Sequence, residues 1–336
     1  MGELDISAKV LEAKSKKWDD RTLAQRAADM AQDIHTGAIK LLKSDERTLL
    51  SALSRLVADE KNREFLRSFC AHVLHAPAEQ QSDNLRSLLA HFGGVPTFFS
   101  AMGRLRFKAA SVAARSMQSA AMAEVRRVFR STFGELTMPL SMEKASQRLQ
   151  ELGKDSLTVA LQPLSPAVFG NEGAERYIEN LCTIAKRLPS AGLVVQPLRL
   201  CPSLSPCAPN DGAKTLAERL TTLLQQLYKN GKDCPVIVES GNSALLPIVV
   251  EGCKRVLNNK EYHKANVMLE LPAYLNAAPG ILRELTEWAT ARAAKGGAPL
   301  KVLLVKGSHL STERECAFLY GKESAAAPTK SATETR

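Results

Sequence analysis

Residues 301–307, Lys-Val-Leu-Leu-Val-Lys-Gly, constrain the fold of this chain more than any other stretch. A short run rich in Val and Leu is strand-like. It follows a helical pattern, Glu284 to Arg292, closed by Lys295-Gly296-Gly297-Ala298-Pro299. Gly-Gly-x-Pro stops a helix and starts a strand. Ahead of that helix lies a second strand pattern, Asn266-Val-Met-Leu-Glu-Leu271. Strand, helix, strand implies two parallel strands joined by a crossover. In a parallel barrel, chemistry is placed where strands end. Here those ends carry Pro272-Ala273-Tyr274-Leu275 and Lys306-Gly307-Ser308-His309.

The same alternation runs back to Ser156. Strands are predicted at Ser156–Leu161, Gly192–Gln196 and Pro235–Glu239, with helices at Gly173–Leu188, Ala213–Tyr228 and Ala244–Leu257. Residues 1–150 read instead as helices, with apolar positions three and four apart. One helix there closes at Phe92-Gly93-Gly94-Val95-Pro96, and residues 104–132 read as a single further helix. The expected fold is α/β: an all-helical domain over 1–150, then a partial, TIM-like βα barrel of about five parallel strands over 151–322. A closed barrel of this type has about eight strands. Residues 323–336 read as a disordered tail by composition.

The motif Trp288-Ala-x-x-Arg292 with Gly296-Gly297-x-Pro299-x-Lys301-Val302-x-Leu304-Val305-Lys306-Gly307 resembles the proline dehydrogenase barrel of proline utilization A. The N-terminal helices, with Leu53-Ser-Arg55-Leu56-Val57, are similar to that family's helical arm and α-domain. The resemblance implies oxidation of L-proline by hydride transfer to FAD, the cofactor performing the chemistry. It also places site residues. Gln196 stands where the family has an active-site Lys, and Glu239 where it has an Asp. Pro272 replaces a Gln that contacts the flavin, beside a kept Tyr274. Leu303 replaces the Arg beside the flavin, ahead of a kept Lys306-Gly307. On the first strand, Gln162 replaces an acid and Ser165-Pro166 replaces Gly-Glu. Leu cannot donate a hydrogen bond, and Pro offers neither a side-chain amide nor a backbone donor.

These replacements imply a degenerate chain, non-catalytic alone, with no cofactor expected for it alone despite the family's FAD. Catalytic residues are therefore expected at none of these positions. A retained interaction role follows, with a protein partner that completes or covers an open barrel, or a homo-oligomer. The alternative is one part of a split, active flavoenzyme completed by a second chain. The family's later strands and its helix of paired arginines have no counterpart recognised here.

Composition narrows the rest. Seven cysteines are scattered without a Cys-x-x-Cys, which suits reduced thiols and no structural zinc. His72 and His75 have metal spacing on a helix but lack a third ligand, so no metal is expected. No run approaches about 18 apolar residues, and the start resembles no secretory signal, so a cytoplasmic setting is expected. Net charge is +10, concentrated at Arg104, Arg106, Lys108, Arg115, Arg126, Arg127 and Arg130. That run leaves contact with an anionic membrane open. No nucleic-acid-binding motif occurs, and Phe107 and Phe129, among those charges, are expected to face a core.

Overall fold

A computed structural model describes residues 20–334, except 75, 115, 139–140, 155, 164–166 and 230–233. Arg115, His75 and the Ser165-Pro166 pair lie outside the described residues. The chain forms two compact units, residues 1–138 and 139–336.

The first unit is helical: α1 (Asp20–Leu41), α2 (Ser44–Ala58), α3 (Glu60–Phe69, continued by a π-helical turn to Leu74), α4 (Ala78–Phe92), α5 (Ala101–Ala113) and α6 (Gln118–Phe133). Its core is aromatic. Phe65, Phe69, Phe98, Phe99 and Phe107 are each 1% exposed or less, with Phe92, Phe129 and Phe133 packed around them. The turn at Phe92 is as expected: Gly93 takes a left-handed φ of 72° and its N–H bonds back to Ala90 and Leu89. The single helix expected over 104–132 is instead two helices, α5 and α6. The reversal between them lets Phe107 and Phe129 meet in one core, their ring centroids 6.1 Å apart.

The second unit begins with α7 (Met142–Lys154), which spans the boundary expected at residue 150. Then follow β1 (Ala160–Leu161), α8 (Gly170–Arg187), β2 (Gly192–Val195), a short α9 (Pro197–Leu200), α10 (Pro209–Tyr228), β3 (Val236–Val238), α11 (Leu246–Asn258), β4 (Val267–Pro272), α12 (Ala278–Ala294), β5 (Lys301–Val305), α13 (Leu310–Leu319) and α14 (Lys330–Glu334). The strands form one parallel sheet in the order β1-β2-β3-β4-β5. This is the α/β architecture predicted, with five strands.

Alternate residues of the inner strands, Leu193, Val195, Val236, Val238, Leu269 and Leu271, pack on apolar faces of α8, α10 and α11. Period-two alternation places Met268, Glu270 and Pro272 on the opposite face of the sheet. Gly252 of α11 permits a close approach, because a Cβ there would sit 3.0 Å from the Leu216 side chain on α10. The Gly296-Gly297 turn has a similar basis. Gly296 has a φ of 86°, and a Cβ on Gly297 would meet Arg292 at 2.7 Å. Arg292 is buried, and its Nε donates to the Leu257 carbonyl at 3.0 Å. Its other nitrogens donate to the carbonyls of Ala298 and His263, tying the end of α12 to the approach to β5.

Two expectations need correction here. β1 pairs only at Ala160 and Leu161 rather than over 156–161. Leu157 is held by the Leu152 carbonyl in the preceding helix end, and Ser156 has a φ of 59°. The expected disordered tail is ordered through Glu334. Asn276 N–H donates to Ala325 O at 2.8 Å, and Ala327 N–H donates to Tyr274 O at 2.7 Å. These backbone bonds lay the segment against the end of β4 without a side-chain signal.

Candidate functional site

The carboxyl ends of the five strands gather most of the polar residues singled out in the sequence. At the end of β1, Gln162 Nε2 donates to Glu239 Oε1 at 2.7 Å. Gln196, at the end of β2, donates its backbone N–H to the Tyr177 hydroxyl of α8 at 3.2 Å. Its side-chain Oε1 is buried without a hydrogen-bond partner among the described residues. Beyond β4, the fully buried Tyr274 accepts from the His309 N–H at 3.1 Å. Burial pushes the Tyr177 and Tyr274 hydroxyls above the ordinary tyrosine value, so both remain protonated near neutrality.

Gln196, Glu239 and His309 line one cavity of about 630 Å³, together with Phe169, Asn171 and Arg199. Its walls come from the ends of β2 and β3, the start of α8 and the segment after β5. The Arg199 guanidinium lies 6.0 Å from the Tyr177 ring centre. The cavity thus offers the Glu239 carboxylate, the Arg199 guanidinium, the Gln196 and Asn171 amides, the Ser203 hydroxyl and the His309 imidazole, which suits hydrogen bonding to a small polar molecule.

The remaining positions stand apart from that cavity lining. Lys306 is 66% exposed and pairs with Glu334 of α14 at 3.1 Å. Leu303 is 38% exposed on β5 and supplies no polar group. Gly307 has no atom within 4 Å of where a Cβ would stand. Pro272 ends β4, paired with Val305.

One residue escaped the sequence reading. Glu270 on β4 is 6% exposed and accepts from Ser240 Oγ at 3.0 Å and from Ser308 Oγ at 3.4 Å. Burial raises its carboxyl above the ordinary value. The Ser240 hydrogen bond opposes that, and the nearby Glu239 charge adds to it. Its signal was present in the sequence: an acid at an inner position of an otherwise apolar strand has to find partners across the sheet.

Among the described residues no group of three or more His, Cys, Asp or Glu could hold a metal ion. Burial raises the thiols of Cys201 to about 11 and Cys253 to about 12, which leaves both unreactive. Among the described residues no helix is long and apolar enough to cross a membrane.

A parallel βα sheet with its polar residues at the strands' carboxyl ends defines a barrel-type α/β domain. The family model for proline dehydrogenase matches residues 145–336, more than half of the chain, and the chain belongs to that family. No curated protein matches the sequence. Similar solved structures include proline utilization A from Corynebacterium freiburgense, at 21% identity and a TM-score of 0.57, with 76% of this chain and 24% of that one covered. A second is proline utilization A from Bdellovibrio bacteriovorus inactivated by N-propargylglycine, at 16% identity and a TM-score of 0.62, covering 84% and 28%. A variant of the Bradyrhizobium japonicum protein matches at 18% identity and a TM-score of 0.53, covering 87% and 31%. At such identities the likeness concerns the fold. The chain spans between about a quarter and a third of the length of these proteins.

Proposed function

We propose that this chain is a proline dehydrogenase relative that no longer oxidises proline with FAD by itself, and that it acts through interaction with another polypeptide. The observation that carries this reading is the pair of neighbouring strands β4 and β5. Pro272 and Leu303 occupy the places where the resemblance puts an amide and a guanidinium against the flavin. Beside Leu303, and paired with it across the two strands, sits the buried carboxylate of Glu270. A carboxylate and two groups without donors are a poor match to a flavin edge that calls for positive charge and hydrogen-bond donors. The FAD of the family therefore does not fit the residues present, and no catalytic step is assigned through it. On the second strand Gln196 supplies no cation where the family has Lys. Lys306, the retained basic residue, is engaged by Glu334.

The split-enzyme reading is favoured by a separate observation, the outer edge of β5. Leu303 and Leu304 are 38% and 58% exposed there, and among the described residues no strand pairs beyond β5. An unpaired apolar edge is a template for another strand. A cytoplasmic setting belongs to the same proposal.

The test is the purified chain supplied with FAD, proline and a dye acceptor. The expected result is no flavin absorbance retained through gel filtration and no proline-dependent dye reduction above a protein-free control. Retained flavin with dye reduction by the chain alone would overturn the proposal. Activity that appears only on adding a second protein would select the split enzyme.

A further inference from the structure

A second cavity, in the helical unit, has a lining of one electrostatic sign. It encloses about 470 Å³ between α2 and the segment leading into α5. Six of its residues are Ser44, Arg47, Thr48, Ser51, Arg55 and Ser100, and none of its lining residues is an acid. The α2 residues recur every three or four positions, so they share one face of that helix.

The two arginines differ in how they are held. Arg55 donates through Nη1 to the Thr97 and Phe99 carbonyls, at 3.1 and 3.4 Å. Those bonds fix the guanidinium without neutralising its charge. Arg47 is exposed and has no ion-pair partner among the described residues. The nearest acid in sequence, Glu46, is turned back to accept from the Lys43 N–H at 2.6 Å. Ser100 caps α5 by accepting from Gly103 N–H at 3.1 Å, which leaves its own proton available.

We infer that this cavity binds a phosphate-bearing ligand. Arg forks match phosphate oxygens bidentately, and hydroxyls supply the remaining donors. The volume lies in the range of about 300–1,000 Å³ usual for small-molecule sites. Two unneutralised guanidiniums in one cavity repel each other, and a bound polyanion removes that cost.

The test uses the full chain at low salt and two probes: tripolyphosphate, and phosphatidylcholine vesicles containing phosphatidic acid. Calorimetry is expected to show saturable binding that Arg47→Gln weakens by about tenfold or more. The control Arg127→Gln, whose guanidinium pairs with Glu124 outside this cavity, should stay within about twofold. Arg55 is left intact because it also anchors two carbonyls. Site-dependent binding of tripolyphosphate supports a soluble ligand, and site-dependent binding of vesicles alone assigns the phosphate to a lipid headgroup. Absence of saturable binding to both probes would overturn the inference, as would equal losses in the two variants.

Discussion

β4 and β5 lie side by side through five residue pairs, yet they live in different surroundings. β4 is buried at five of its six positions, while β5 has no buried residue. Composition alone would suggest the reverse, since β4 carries an acid and a proline and β5 reads Lys-Val-Leu-Leu-Val. What separates them is coverage. β4 has a strand on each side and helices behind it; among the described residues β5 has a strand on one side only. Burial here is a property of position in the sheet rather than of composition.

Three measurements can break or sharpen that contrast. The largest effect is expected at Leu269, which is 1% exposed among core residues. Leu269→Ala should cost about 2–5 kcal/mol, from lost burial and the cavity left behind. Denaturant unfolding would measure it, and a cost below about 1 kcal/mol would show that β4 is not a core strand.

The next largest concerns Glu270. Its folded carboxyl titrates above the ordinary value of 4.5, because burial disfavours the charge. The stability it lends when protonated is present below that ordinary value and is lost as pH rises through the folded one. Glu270→Gln should therefore raise the melting temperature near pH 7, and the gain should vanish towards pH 4.5. A gain independent of pH would show that the carboxylate is not the source.

The smallest effect is expected on β5. Leu304→Lys should change stability by no more than about 0.5 kcal/mol, as for ordinary surface positions. A loss of several kcal/mol in the isolated chain would mean that β5 is already covered in solution, for instance by self-association. Gel filtration of the same variant would reveal that as a change in size.

The parts of the fold legible in the sequence were those written in side chains. The Gly296-Gly297 turn announced itself because one glycine needs a positive φ and the other lies against Arg292. Inner strands were visible as Val- and Leu-rich runs. The break between α5 and α6 was not, because the helical period continues through Ala113 and Ala114 without Gly or Pro. Only the gathering of eight phenylalanines into one core requires the turn. The segment around Ala325–Ala327 was also hidden, since its attachment is by backbone groups. At the site, Gln196, Glu239, Tyr274 and Lys306 lie just beyond strand ends and Leu303 lies in the middle of β5, while Glu270 did not announce its partners. Ser240 and Ser308 come from different strand ends, 30 and 38 residues away in the chain, and only the sheet unites them.

The strand order has a consequence for the chain as it is made. Each strand lies beside the one that precedes it in sequence, so no strand has to wait for a later one before docking. A ribosome delivers about 5–20 residues per second, and the strand–helix pairs of this unit emerge in the order in which they stack. The sheet can grow by accretion, each new crossover closing on a template already laid down. β5 is then the last strand of this sheet to emerge and the last to dock.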